Sequence, residues 1–199
     1  MEALEVKEKI EEVAEGHEGS RSTSLRIGLL IAALAALLAL METGGKSAQT
    51  EAVNANVQAS NLWAFFQAKT ARMTTIRTAA ETANLSLLND LPPAAKEAIQ
   101  KQIDAWNATA ARYDSEPQTG EGRKELTERA QQAEAERDRD LAAYHLFELG
   151  SAASQLAIVL ASAAIITGLM FLVYLAGGLG IVGAGLGVIA WLAPTMLHL

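Results

Sequence analysis

The sequence predicts an all-α integral membrane protein with three transmembrane helices and a long extramembrane antiparallel helical hairpin packed like a coiled coil. Three observations predict it. All 16 basic and 23 acidic residues lie at or before Glu148, so residues 149–199 carry no charge. A second uncharged run fills 27–41, between Arg26 and Glu42. Between these runs, residues 49–90 contain neither proline nor glycine, and their apolar positions follow a heptad. A 50% hydrophobic composition would suit a soluble domain only if the apolar residues were dispersed.

The leader, 1–24, is an acidic tail with a short amphipathic helix over 2–15. Ala3, Val6, Ile10 and Val13 recur at three- and four-residue spacing, and Gly16 and Gly19 would end the helix. Glutamate outnumbers lysine there, which argues against an anionic lipid surface. Ser22, Thr23 and Ser24 offer N-caps for transmembrane helix 1, placed at 25–44. Its apolar body, 27–41, covers about 22 Å of a bilayer core of about 30 Å, so Arg26 snorkels and Thr43 and Gly44 are recruited. The acidic leader is unlike the short basic start of a signal peptide, so this segment reads as an anchor.

The extramembrane domain spans 45–149. Its first arm, 49–90, carries the seam Ala52, Ala55, Ala59, Leu62, Phe66, Met73, Ile76, Ala80, Ala83 and Leu87, interrupted only by Lys69. Pro92 and Pro93 stop it, which puts the hairpin tip at 91–93. A second helix over 94–113 repeats the alternation with Ile99, Ile103, Trp106, Ala110 and Tyr113. Pro117, Gly120 and Gly122 mark 115–122 as a loop, and 123–148 is a third, polar helix. The arms match in reach, about 63 Å ascending and about 69 Å returning. The uncharged tail then holds transmembrane helices at 150–175 and 181–199, joined by a tight turn from Ala176 to Gly180.

The stretch Asn61-Leu62-Trp63-Ala64-Phe65-Phe66-Gln67-Ala68-Lys69 follows the first span, and Tyr144-His145-Leu146-Phe147-Glu148-Leu149 runs into the second. Together these resemble the family of small bacterial membrane proteins called domain of unknown function 4337, over nearly the whole chain. The resemblance implies three spans around a helical domain and implies no mechanism. The chain departs from similar sequences in a leader with a single histidine and a glycine-rich last turn.

Several function classes lose their footing. No basic stripe emerges from a net charge of −7, so nucleic acid is not a partner. The chain has no cysteine, hence no disulfide or thiolate site. His17, His145 and His198 stand apart without ligand or triad partners, and the G-x-x-G spacings of 177–187 lack a strand and a lysine, so no enzyme activity, metal or cofactor is expected. No charge lies inside a span, which removes an ion-coupled carrier, and the lone amide Gln155 is expected to bond across helices.

What remains is association. In the helical domain the candidates are Leu62, Trp63, Phe65, Phe66, Met73 and Ile76. The aromatic trio reads as hairpin core, as a contact face between subunits, or as a stacking cage. In the membrane, Ala153, Ala157 and Ala161 on the second span and Gly180, Gly183 and Gly187 on the third set small residues at close-packing intervals, within one chain or between chains. The expectation is a non-catalytic, homo-oligomeric assembly or scaffold in the lipid bilayer; the alternative is an oligomeric pore lined by the glycine-rich third span. Residues 7–26 hold Lys7, Lys9, Arg21 and Arg26, whereas 42–61 hold only Lys46. That bias predicts a bacterial inner-membrane protein with a cytoplasmic N-terminus and a periplasmic helical domain.

Overall fold

The computed structural model comprises four α-helices, α1 (Glu2–Ser86), α2 (Pro93–Asp114), α3 (Arg123–Thr167) and α4 (Met170–Leu192), followed by a 3-10 turn at Pro194–Met196. The structure describes the backbone of residues 2–196 and the side chains of 23–196. α1 continues through Gly16 and Gly19, which corrects the expectation that the leader helix ends there. The readings of the leader's apolar face, of His17 and of His198 lie outside the described residues. No strand occurs among the described residues. Three helices, α1 over 23–86, α3 and α4, are long and apolar enough to cross a membrane.

Each boundary has a local cause. α1 ends at Ser86, four residues before the expected Asp90, and the chain then closes i→i−3 bonds from the Leu87, Leu88 and Asn89 amides at 3.2 Å. The Ser86 hydroxyl donates to Ala83 O at 2.6 Å, competing with helix continuation, and Pro92 biases Leu91 away from helix. Pro93 then opens α2, where a missing N–H costs nothing, and Pro92 O accepts from the Ala95 and Lys96 amides. α2 ends where Ser115 turns extended.

The chain divides into two compact units, and α1 and α3 contribute to both. The first comprises Met1–Thr50 and Arg139–Leu199. Ile27 and Leu34 of α1, Ala157 and Ala161 of α3 and Ala176 of α4 form its core. Large apolar side chains point the other way: Leu29, Ile166, Phe171, Ile181, Trp191 and Leu192 are each at least two-thirds exposed. The faces of α3 and α4 turned inward are therefore mostly small residues, packed against Ile27 and Leu34 of α1, while many of the largest apolar side chains face outward, unlike a soluble bundle.

The turn between α3 and α4 corrects the expectation of a break from Ala176 to Gly180. It lies instead at Gly168, whose φ of +70° is the left-handed conformation that ends helices and that glycine adopts without Cβ strain. The Gly168 amide donates to Ala164 O at 2.9 Å, Leu169 is extended, and α4 starts at Met170. The second apolar helix thus stops at Thr167 rather than 175, and the third runs Met170–Leu192 rather than 181–199. Gly177, Gly178 and Gly180 are helical.

The second unit, Glu51–Asp138, is built from the later part of α1, all of α2 and the start of α3. Ala59 and Leu62 pack with Leu126, Ala130 and Ala133, flanked by Trp63 and Phe66. Contacts run in opposite numerical order, Trp63 with Glu134 and Met73 with Arg123, so these stretches of α1 and α3 are antiparallel. Ile103 and Ala110 are the buried residues of α2.

Candidate functional site

The interruption in the heptad seam is the centre of the most charged cluster in the second unit. Lys69 occupies a seam position and is 6% exposed, with its Nζ 3.9 Å from Glu116 Oε2 and 3.7 Å from Glu121 Oε2. The same ammonium lies 5.3 Å from the Phe65 ring centroid and 5.1 Å from that of Tyr113. A lysine on a packed alanine seam needs such partners, because a desolvated charge without them is costly. Next to it, the Arg123 guanidinium sits 5.0 Å over the Phe66 ring and donates to Asp114 Oδ1 at 3.3 Å. Lys124 adds a second contact to Asp114 at 3.5 Å, and Arg112 approaches Glu116 at 3.5 Å.

These contacts fasten residues 115–122. Glu125, in the first turn of α3, accepts from the Ser115 hydroxyl at 2.6 Å and from the Glu116 amide at 3.1 Å. The Ser115 hydrogen bond first, then that amide, hold the Glu125 carboxyl below its ordinary range, against a smaller opposing effect of burial. Gly122 belongs to the lock as well, since a Cβ there would meet Glu125 Oε2 and the Glu116 amide. The charged groups of this cluster face one another.

The association candidates separate by environment. Leu62 and Met73 are buried, and Phe66 and Ile76 are half-buried. Trp63 donates from Nε1 to Glu134 Oε1 at 2.8 Å and meets Phe66 edge-on, ring centroids 5.5 Å apart. Phe65 is 37% exposed and turns its ring toward Lys69. In the first unit, Ala157 and Ala161 are fully buried and Ala153 is half-buried. Gly180, Gly183 and Gly187 form the buried stripe of α4 with Ala176 and Ala190. An added Cβ at Gly183 would stand 3.0 Å from Gly150 O and from Ser154 Oγ; at Gly180 it would meet Leu34, and at Gly187 Met41. The small-residue contacts are thus made within the chain. Gly177, Gly178 and Gly185, on the other side of α4, have nothing within 4 Å of a notional Cβ.

Gln155 corrects an expectation. It is exposed, and its Nε2 donates to Ser151 Oγ at 3.4 Å on the same helix, because Ser154, one position back, takes the buried face. His145 Nδ1 lies 3.9 Å from Glu148 Oε2 one turn on, with both side chains more than half exposed. Among the described residues no three His, Asp or Glu groups converge as metal ligands.

Two open grooves lie among the described residues. In the second unit Thr74, Thr75, Thr78, Thr82, Ser86 and Trp106 line one, and hydroxyls of Thr74, Thr75, Thr82 and Ser86 are satisfied by carbonyls of their own helix. In the first unit a groove of about 310 Å³ lies between Met41, Glu42, Gly45, Lys46 and Gln49 of α1 and Tyr144, Phe147, Glu148 and Ser151 of α3. Neither was singled out from sequence. The second carried one readable signal, that charge resumes on both helices there, after Met41 and before Leu149.

No curated protein and no solved structure matches the chain. Residues 23–193, the whole of the helical architecture from the first apolar run to the end of α4, match the model of the family described as Domain of unknown function (DUF4337), and the chain belongs to that family.

Proposed function

We propose that the chain is an integral membrane protein whose first unit spans the bilayer three times and whose second unit, an extramembrane antiparallel helical hairpin, holds copies of the chain together as a non-catalytic scaffold. The inverted packing of the first unit carries this reading. Alanine and glycine on the inward faces of α3 and α4, with large aliphatic and aromatic side chains such as Leu29, Ile166, Phe171 and Ile181 turned outward, is the pattern of helices that approach closely and face lipid. In water, an exposed apolar surface of that extent would drive aggregation.

Two faces are open for association. On α1 the second unit leaves Val53, Val57, Ala64 and Ala68 exposed at intervals that place them on one side, with Val53 57% and Val57 52% exposed. On α4 the outward Gly178 and Gly185 leave room for a helix from another copy. The pore reading draws no comparable support, since Gly180, Gly183 and Gly187 are taken up by Leu34, Ser154 and Met41. The charges of the Lys69 cluster are paired among themselves, consistent with a locking rather than a catalytic use.

The lysines and arginines before Ile27 favour a cytoplasmic N-terminus, with the helical domain on the periplasmic side of a bacterial inner membrane. Alkaline phosphatase fused within 115–122 should be active and a cytoplasm-dependent fluorescent reporter dark; the opposite result reverses the orientation. Mass measurement in detergent and in nanodiscs tests the scaffold: an oligomer that Val57→Glu reduces supports it, and a monomer at every concentration refutes it.

A further inference from the structure

The groove between α1 and α3 in the first unit sits where both helices pass from uncharged to charged sequence, with Met41 and Ser151 at its apolar side and Glu42, Lys46, Gln49 and Glu148 beyond. On the proposed membrane reading, on which this inference rests, that level is the headgroup region, where tyrosines such as Tyr144 also settle. Among the described residues, the side chains of Glu42, Lys46 and Gln49 make no hydrogen bond or ion pair, although Glu42 and Lys46 are four apart on one helix. Phe147 is fixed at the groove floor because its ring packs on Gly44, where a Cβ would stand 2.8 Å from Cε1. The volume, about 310 Å³, is at the small end of ligand-binding clefts.

We propose that this groove binds the headgroup of a zwitterionic aminophospholipid, a phosphodiester carrying a primary ammonium, as in phosphatidylethanolamine. The charge inventory selects that class. Lys46 is the one cation lining the groove and suits the phosphate, with the Tyr144 hydroxyl and the Gln49 amide as further donors. Glu42 and Glu148 are hydrogen-bond acceptors that suit the ammonium at the other end of a two-carbon spacer. An anionic lipid such as phosphatidylglycerol would bring its phosphate charge beside two carboxylates without an ammonium to meet them. A choline headgroup carries a positive charge but no N–H to give them, and Phe147 is occupied by Gly44 rather than free to cage it.

The test is native mass spectrometry of the full chain, released from nanodiscs containing equal amounts of phosphatidylethanolamine, phosphatidylcholine and phosphatidylglycerol. The expected result is preferential retention of phosphatidylethanolamine, reduced roughly tenfold by Lys46→Ala and by Glu148→Gln and kept by Lys46→Arg, the scale of one charge-assisted hydrogen bond. Both residues changed, Lys46 and Glu148, are exposed, and circular dichroism would show the helices intact. Equal retention of the three lipids, a preference for phosphatidylglycerol, or retention unaltered by Lys46→Ala overturns the inference. Soluble phosphoethanolamine competing as strongly as the lipid would overturn the lipid as its source. Failure of the protein to float with liposomes refutes the membrane reading itself, whereas flotation without headgroup preference refutes only this site.

Discussion

Replacing Lys69 by methionine should leave the second unit as stable as before or more so, whereas replacing its two acidic partners should weaken it. At an effective dielectric of ~20, a contact of 3.7 Å is worth about 4 kcal/mol of gross attraction. That gain is offset by desolvating an ammonium left with a side-chain exposure of 8%, and Glu121, at 51%, is screened by water. The net worth of the charge is therefore close to zero, and a methionine of similar length would keep the contacts with Phe65 and Tyr113. Glu116→Gln with Glu121→Gln leaves the buried cation without a counter-charge, at a cost of about 3 kcal/mol, the low end for broken buried pairs because Glu121 is half exposed. Chemical denaturation of the full chain in a mild detergent, followed by far-ultraviolet circular dichroism, separates the cases. A methionine variant destabilised as much as the double glutamine variant would refute the reasoning and make the ion pairs a net source of stability.

Other expectations follow from the same geometry. Gly183→Ala should destabilise the first unit by about 1–3 kcal/mol through the approach of its Cβ to Gly150 O and Ser154 Oγ, while Gly178→Ala, with open space, should not; thermal unfolding in detergent compares them. Trp63→Phe should cost about 1–2 kcal/mol by removing the donor to Glu134, and Glu134→Gln, which keeps an acceptor oxygen, should cost less. The Glu125 carboxyl is lowered in the folded state, so its contribution is complete above the unfolded value of 4.5 and is lost as pH falls through the lower folded value. Glu125→Gln should flatten the acid limb of the stability–pH curve, and an unchanged limb would deny the carboxylate that role.

The sequence disclosed the long elements because their signals are local. Charge-free runs marked three apolar helices, Pro92 and Pro93 marked a stop, and Pro117, Gly120 and Gly122 marked the connection before α3. The misplaced turn has a physical cause. A cluster of glycines reads as a turn in a water-soluble chain, but here they stay helical, Gly180 making room for the Leu34 side chain and Gly177 and Gly178 facing open space, while the turn itself needed only Gly168. The heptad frame was also longer than it looked. Ile27, Leu34, Met41 and Ala48 are buried in the same frame as Ala55, Leu62 and Lys69, a continuity that hydropathy hid by making 27–41 uniformly apolar. Lys69 looked like a defect in the seam because its partners, Glu116 and Glu121, come from a distant connection that no periodicity reports. The groove beside Lys46 is likewise a product of two helices meeting, with no motif on either.

The fastening of residues 115–122 has a consequence for how the chain meets proteases. Proline, glycine and polar residues at an inter-helix connection ordinarily mark the place where a chain is nicked first. Here Glu116 O accepts from both the Thr119 and Gly120 amides, at 3.2 and 3.0 Å, and Arg129 holds Gly120 O at 3.2 Å. A protease must draw an extended strand into its cleft, and this segment would have to surrender those bonds together with the grip of Glu125. In the connection between α1 and α2, residues 87–89 are held by three 3.2 Å turn bonds, and Leu88 stands 83% exposed there. Brief digestion with an enzyme that cuts after leucine should therefore divide the chain near Leu88 and leave α2 joined to α3.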